Sequence, residues 1–479
     1  MKDKANLGIS LLNQKKFTEA NKIFSALVLE YSSHFYPRYL LGLLKSETED
    51  YSEALENLLS SLKLNEKHIP TYVDLSYVYT KLGEYKKTED IITKGLSLES
   101  NNLPLRLNLS FAFLVQGKTK ELIKNDNEIL KIDPKNYYVI RRLDELKQPV
   151  LNKKLKSSIK NSLNKKNLKF EDKINANFLL ARFENEINKV GSEYEFLMKA
   201  HEIIFTHNKI FFESNNDLIF SKLSKIYERF TPSIDFNTSE PINNKLKTIF
   251  IFGLPRSGST LLEKIMLNSS TEIVAGEETR FFNEIVDTLF FNKFDGDITK
   301  CLLEINRKYL NLINTANSNI VFTDKSLNNF FFLGWIKQVF PNATFINCNR
   351  DPFTIMSSIL RNNLSRLTWA HRLDDVVKYI DVYHNVLNKW EEILDIEIYQ
   401  FSYSRLIQDF NTETKKLFKF CDLDWHEDLA NFNKLKFISQ TASNIKIRDG
   451  FLTDEEKKHL AMSDFLRKKV KNPNWNLNI

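Results

Sequence analysis

The stretch Lys247-Thr-Ile-Phe-Ile-Phe-Gly253-Leu-Pro-Arg256-Ser-Gly258-Ser-Thr260 constrains the fold of this chain more than any other. Thr248 to Phe252 reads as a buried strand, the two glycines bound a tight turn, and Leu261-Leu-Glu-Lys-Ile-Met266 continues at helical spacing. A strand, a glycine-bounded turn and a helix start gather backbone N–H groups and the positive end of a helix dipole around one point. That is a cradle for a phosphate-like anion.

Gly253 and Gly258 have the spacing of the nucleotide loop G-x-x-x-x-G-K-[ST], but Ser259 occupies the Lys position, with Thr260 after it. The cation that holds β- and γ-phosphates is therefore missing. Arg256, inside the loop, supplies a charge elsewhere, suited to a terminal 5′-phosphate or phosphosulfate rather than a triphosphate with Mg²⁺. The pattern predicts phosphate binding without the equipment of a nucleoside triphosphatase.

Further along, Ile320-Val-Phe-Thr-Asp-Lys325 is a second strand ending in a cation. Thr344-Phe-Ile-Asn-Cys-Asn349 is a third, running into Arg350-Asp-Pro352 and a helix that carries Ser357 and Ser358. Between the first strand and the second, Glu272-Ile-Val-Ala-Gly-Glu277-Glu278-Thr-Arg280 closes a short apolar run with two carboxylates. Open α/β sheets bind ligands at the carboxyl ends of their strands, and here each of these strands ends in a charged or phosphate-ready group.

Residues 1–140 carry a 34-residue period. Phe17, Tyr51 and Tyr85 share one column, Ala20, Ala54 and Thr88 a second, and Leu64, Leu98 and Ile132 a third; Gly83 and Gly117 keep the same step. This pattern resembles the tetratricopeptide repeat, a pair of antiparallel helices per unit. The fourth unit is degenerate, with Thr119 and Leu122 at the marker positions. One repeat cannot bury its own face, so the units must stack, and such stacks take an extended peptide or a partner protein. Residues 141–245 read as a helical connector with one more repeat-like hairpin, ending in the polar, two-proline stretch Thr231 to Pro241. Residues 246–479 form the α/β part.

Composition narrows the class. Apolar content of 42% and charged content of 27% belong to an ordinary globular protein, and the net charge of +7 is a small difference between 68 basic and 61 acidic residues. It does not call for nucleic acid; an anionic small molecule serves as well. Cys301, Cys348 and Cys421 are too scattered for a disulfide framework or a zinc site, and the eight histidines show no ligand spacing, so no metal is expected. His371 and His384 read as packing or surface residues. The N-terminus enters an amphipathic helix without an apolar core of signal-peptide type, and no run approaches a membrane span. The expectation is a cytoplasmic protein, with homo-oligomerisation left open.

Gly253 to Thr260 looks like the 5′-phosphosulfate loop of sulfotransferases, and Arg350-Asp-Pro-Phe-Thr-Ile-Met-Ser-Ser358 looks like their 3′-phosphate motif. Gly276-Glu-Glu-Thr-Arg280 is similar to the segment that carries the base in tyrosylprotein sulfotransferases. Repeats followed by this domain resemble bacterial tetratricopeptide-repeat sulfotransferases. The resemblance implies an all-α repeat solenoid before a three-layer, P-loop-like α/β domain, and 3′-phosphoadenosine 5′-phosphosulfate as co-substrate. It implies that Arg256, Ser257, Gly258, Ser259 and Thr260 hold the 5′-phosphosulfate and that Arg350 and Ser358 grip the 3′-phosphate. Tyr403 falls where the family has an aromatic near the nucleotide. Ser443 and Arg448 match the late cofactor loop, with Lys446 where the family has Gln.

Sulfuryl transfer to a hydroxyl needs a base, cations around the transferring group, and in-line geometry. Glu278 is the first choice of base from the family motif, whereas counting without a gap from Arg256 favours Glu277. Lys325 is the candidate for stabilising charge on the departing oxygen. The acceptor is left open among a peptide tyrosine, a carbohydrate and a small alcohol. Two other readings stand beside this one: a nucleotide kinase or triphosphatase with Asp324 as the Mg²⁺ ligand, and a repeat scaffold whose second domain binds nucleotide without catalysis.

Overall fold

The computed structural model describes residues 1–165, 167–228, 230, 247–279, 281–286, 298–313, 320–434, 453–470 and 475. They divide into two compact units, one over Met1–Val150 and one from Leu151 onward.

The first unit is a stack of helix pairs: α1 (Lys2–Asn13) with α2 (Phe17–Glu30), α3 (Phe35–Glu47) with α4 (Tyr51–Leu64), α5 (Ile69–Lys81) with α6 (Tyr85–Leu98), and α7 (Leu103–Gln116) with α8 (Thr119–Ile132), then α9 (Tyr137–Glu145). The second helix of each pair begins and ends on the 34-residue step, including the degenerate fourth. Ala20, Ala54, Thr88 and Leu122, one column, are all buried. The first helices also touch in sequence, α1 with α3, α3 with α5 and α5 with α7, so each pair covers the apolar face of its neighbour. The turn inside each pair uses a left-handed residue at the same step: Lys15, Glu49, Gly83 and Gly117, with φ of 58°, 60°, 75° and 73°. This column keeps its backbone conformation even where glycine is absent.

The second unit opens with α10 (Lys153–Leu163), α11 (Phe170–Glu186), α12 (Val190–His207) and α13 (Lys209–Glu228). The helical stretch read from sequence as a connector therefore divides, with α9 in the first unit and α10–α13 in the second. There Phe178, Leu197, Ala200 and Ile204 join the same apolar core as Phe353, Ile359, Leu360 and Trp390.

The sheet is parallel, in the order β2-β3-β1-β4-β5. Its strands are β1 (Lys247–Gly253), β2 (Ile273–Ala275), β3 (Val321–Asp324), β4 (Thr344–Asn349) and β5 (Ile398–Ser402). β1 is central and buried over six of its seven residues, as a strand covered on both faces must be. The helices between the strands are α14 (Ser259–Met266), α15 (Phe281–Val286), α16 (Ile298–Ile313), α17 (Leu333–Val339), α18 (Pro352–Leu360) and α19 (Leu373–Ile393); α20 (Tyr403–Gln408), α21 (Phe410–Phe420) and α22 (Thr453–Lys469) follow β5. The loops leaving the neighbouring strands β1 and β4 run to opposite edges of the sheet, and a crevice at such a switch point is where an open α/β sheet binds its ligand.

Two strands go beyond the three expected from sequence. β2 is three residues long, and β5 holds two polar residues in five, so neither has the apolar run that announces a buried strand. No helix among the described residues is long and apolar enough to cross a membrane.

Candidate functional site

The turn after β1 is built for close approach. Gly258 sits at φ 101°, and a Cβ there would lie 2.8 Å from Cδ2 of Tyr403, so both the backbone angle and the neighbouring ring demand glycine. Arg256 is left-handed too, at φ 72°, a strained conformation for an arginine of the kind concentrated at binding sites. Ser257, Ser259 and Thr260 are buried. Ser257 Oγ has no hydrogen-bond partner among the described residues.

Four of the predicted donor-binding residues meet across the switch point. Arg256 Nε donates to Ser358 Oγ at 3.0 Å. Arg350 Nη1 donates to the Arg256 carbonyl at 3.3 Å, and its guanidinium lies 4.5 Å from the centroid of the Tyr403 ring. α18 starts beside them, capped by Asp351, whose carboxylate accepts from the Thr354 N–H at 2.8 Å, with Pro352 in its first turn. The starts of α14 and α18 thus open on the same crevice. Ser443 and Arg448, together with Arg280, lie outside the described residues.

The carboxylates arrive along β3. Lys325 N–H donates to the Glu277 carbonyl at 2.7 Å, extending the β2–β3 ladder by one rung and setting both glutamates beside Lys325. Lys325 Nζ is 3.5 Å from Glu278 Oε1 and 4.0 Å from Glu263 Oε2, with the lysine side chain 1% exposed and Glu278 35% exposed. The ammonium makes no hydrogen bond among the described residues. A buried cation paired only at a distance is short of an anion, and so is the orphaned buried hydroxyl of Ser257 in the loop after β1.

Glu263 on α14 was not singled out by the sequence reading. It is fully buried, accepts a 2.8 Å hydrogen bond from Thr323 Oγ1, and its carboxyl is pushed up to about 7. Burial is the main cause, with Lys325 and Thr323 pulling the other way. A glutamate inside Leu261-Leu262-Glu263-Lys264-Ile265-Met266 was the available signal, since a carboxylate on an apolar face needs a partner. Glu277 is raised by burial and by Glu278, against the pull of Lys325. Asp324, the Mg²⁺-ligand candidate, is occupied: Thr279 and Tyr309 donate to one oxygen at 2.7 and 2.9 Å, and the Ser326 N–H and Asn329 to the other at 2.9 and 3.1 Å.

Residues 248–427 match the model of the sulfotransferase family. They form a sulfotransferase-family domain. Protein-tyrosine sulfotransferase 1 of Danio rerio is 23% identical over 241 residues, 44% of this chain and 63% of that one. Protein-tyrosine sulfotransferase A of Caenorhabditis elegans is 23% identical over 233 residues, 41% of this chain and 56% of that one. An uncharacterized protein of Aquifex aeolicus is 24% identical over 298 residues, covering 58% of this chain and 38% of that one. The chain thus spans less than two thirds of the length of each of these relatives. A solved tetratricopeptide repeat protein from Parabacteroides merdae resembles it at 17% identity and a TM-score of 0.33, over 42% of this chain and 77% of that one. The repeat character of the first unit stands on its own helix stack.

Within the sulfotransferase domain, Cys301, Cys348 and Cys421 are all buried and free, and burial raises each thiol above its ordinary range. No group of three His, Cys, Asp or Glu among the described residues is arranged to hold a metal ion.

Proposed function

We propose that the protein transfers a sulfuryl group from 3′-phosphoadenosine 5′-phosphosulfate to an acceptor hydroxyl. The observation that carries this reading is the 3.0 Å contact between Arg256 and Ser358. It joins the turn before α14 to the body of α18, with the Lys325–Glu278 pair at the adjoining strand end.

In the proposed reaction Glu278 takes the proton of the acceptor hydroxyl. Its carboxylate is the more exposed of the two glutamates, so an acceptor arriving from solvent meets it first. The acceptor oxygen then attacks sulfur, the S–O bond to the 5′-phosphate breaks, and the electron pair leaves on the phosphate oxygen. Arg256 and Lys325 meet the charge developing there, and preorganised cations in a water-poor site are an effective source of barrier lowering. Arg350, Ser358 and Tyr403 hold the nucleotide by its 3′-phosphate and base side. A kinase or triphosphatase reading gains no support, because Ser259 replaces the loop lysine and each oxygen of Asp324 already accepts two hydrogen bonds from neighbouring residues.

The acceptor is a hydroxyl compound, and the repeats, in this reading, recruit it or a partner protein that delivers it. The test is calorimetric titration with 3′-phosphoadenosine 5′-phosphate and with ATP-Mg²⁺, followed by transfer of labelled sulfate from the donor into a mixed pool of tyrosine peptides, sugars and alcohols. Binding of the bisphosphate in the presence of EDTA, weakened by salt, supports the reading. Tight ATP-Mg²⁺ binding with none for the bisphosphate overturns it.

A further inference from the structure

Glu263 has one carboxylate oxygen held by Thr323 Oγ1 at 2.8 Å. The other points toward Lys325 Nζ at 4.0 Å and has no hydrogen bond among the described residues. Both side chains are sealed from solvent, at 0% and 1% exposure. The ammonium therefore lies between a buried carboxylate on α14 and the more exposed Glu278 beyond β2. A separation of 4.0 Å is too long for a hydrogen bond but close enough for a strong field in a low-dielectric interior. Ionised, Glu263 cancels much of the lysine charge; protonated, it leaves that charge to whatever anion occupies the crevice.

We propose that Glu263 is a positioning residue whose proton uptake accompanies donor binding, by releasing the Lys325 charge toward the anionic donor. This rests on the donor reading above. The groups facing Glu263 are Thr323 and Asp324 of β3, Lys325 just after it, Glu277 after β2, and the buried neutral Cys348 of β4. Lys325 is the one cation among them, so an incoming anion and the Glu263 carboxylate compete for it. The carboxyl is poised to change charge around neutrality, so an anion that displaces this equilibrium draws a proton in, and by linkage its affinity rises as pH falls through that range.

The experiment titrates the full chain with 3′-phosphoadenosine 5′-phosphate at pH 6, 7 and 8. Wild type is compared with E263Q, which keeps the acceptor for Thr323 and removes the charge. The ligand's own phosphates titrate identically in both, so the readout is the pH 6 to pH 8 affinity ratio of wild type divided by that of E263Q. The expected value approaches about tenfold, the limit for one obligatory proton with a midpoint near 7. T323V removes the hydrogen bond that holds the carboxyl down, and it moves the midpoint upward; this variant decides the matter if E263Q does not fold. Binding with the same ratio in both proteins, or a midpoint unmoved in T323V, overturns the role of Glu263 and leaves the donor reading standing. No binding of the bisphosphate by wild type at any pH overturns the donor reading, and this proposal with it.

Discussion

Arg256 Nε donates to Ser358 Oγ at 3.0 Å, across 102 residues of sequence. The bond closes the crevice between the loop after β1 and the helix after β4, so each side of the proposed donor site holds the other in place.

Ser358→Ala removes that acceptor and, in the proposed function, a donor to the 3′-phosphate. A hydrogen bond to a charged group contributes about 1.5–3 kcal/mol, so affinity for 3′-phosphoadenosine 5′-phosphate is expected to fall about 10- to 100-fold. Adenosine 5′-phosphate, which lacks the 3′ group, should lose much less. Arg350→Ala should show the same discrimination, since it removes a charge-assisted contact. Calorimetry with both nucleotides decides it, and an equal loss for the two would remove Ser358 and Arg350 from the 3′ end.

The parts of this site that were legible in the sequence are those where local chemistry and fold demand the same residues. Gly253 to Thr260 had to be a strand, turn and helix start, and Arg350-Asp351-Pro352 had to open a helix. The 34-residue columns likewise define where α2, α4 and α6 begin. What stayed hidden depends on contacts between distant elements. Glu263 becomes chemically relevant only when Thr323 and Lys325, about 60 residues on, are brought against it. β5 has polar positions because it is an edge strand. The attachment of α10–α13 to the helices that flank the sheet was illegible for the same reason: their apolar faces show that they pack, not against what.

That attachment has a consequence for dissection of the chain. Arg361, just after α18, makes a bidentate pair with Glu193 of α12 at 2.6 and 3.0 Å, and His201 Nε2 meets the Leu360 carbonyl at 2.8 Å. Removing one member of such a buried pair typically costs about 3–5 kcal/mol. A chain beginning at Leu151 is therefore expected to fold cooperatively and bind the bisphosphate. One beginning at Lys247, although it contains every predicted site residue, is expected to be aggregated or molten. Thermal melts and near-ultraviolet dichroism of both truncations test this, and equal stability would show that α10–α13 are dispensable.

His201 and His371 face each other with their Nδ1 atoms 3.0 Å apart in the core. Burial pushes both well below the ordinary histidine range, His201 to about 4. In the unfolded chain both take up protons near 6.5. The unfolded state therefore binds more protons than the folded one as pH drops below that value, and stability falls with falling pH. The contribution of the pair is complete above about 6.5 and is lost between there and about 4 for His201 and about 3 for His371. Two such groups give a limiting slope of about 2.7 kcal/mol per pH unit. Urea denaturation from pH 7.5 to 5 should show this loss, and His371→Gln should shrink the slope by about one proton's worth. A slope unchanged in that variant would mean that His371 does not stay neutral in the folded state.

The two adjacent glutamates are separated by a kinetic test. A general base contributes about 10²–10⁴-fold to rate, whereas a carboxylate that only positions a neighbour usually costs less on removal. Glu278 is exposed and 3.5 Å from Lys325. Glu277 is half-buried, left-handed at φ 50°, and bound through its carbonyl to the Lys325 N–H. Burial raises the Glu277 carboxyl, but it is the less exposed of the two glutamates. Glu278→Gln keeps shape and hydrogen-bonding capacity and cannot accept a proton, so it should lower kcat by at least about 100-fold with bisphosphate affinity nearly intact. Glu277→Gln should instead disturb acceptor binding or the order of the segment beside Lys325, appearing mainly in KM. Sulfate transfer and donor binding are measured for each variant. If Glu277→Gln abolishes turnover and Glu278→Gln does not, the register counted without a gap from Arg256 is the right one and the two roles exchange. If both variants turn over at the wild-type rate, neither carboxylate is the base, and the acceptor proton must leave by another route.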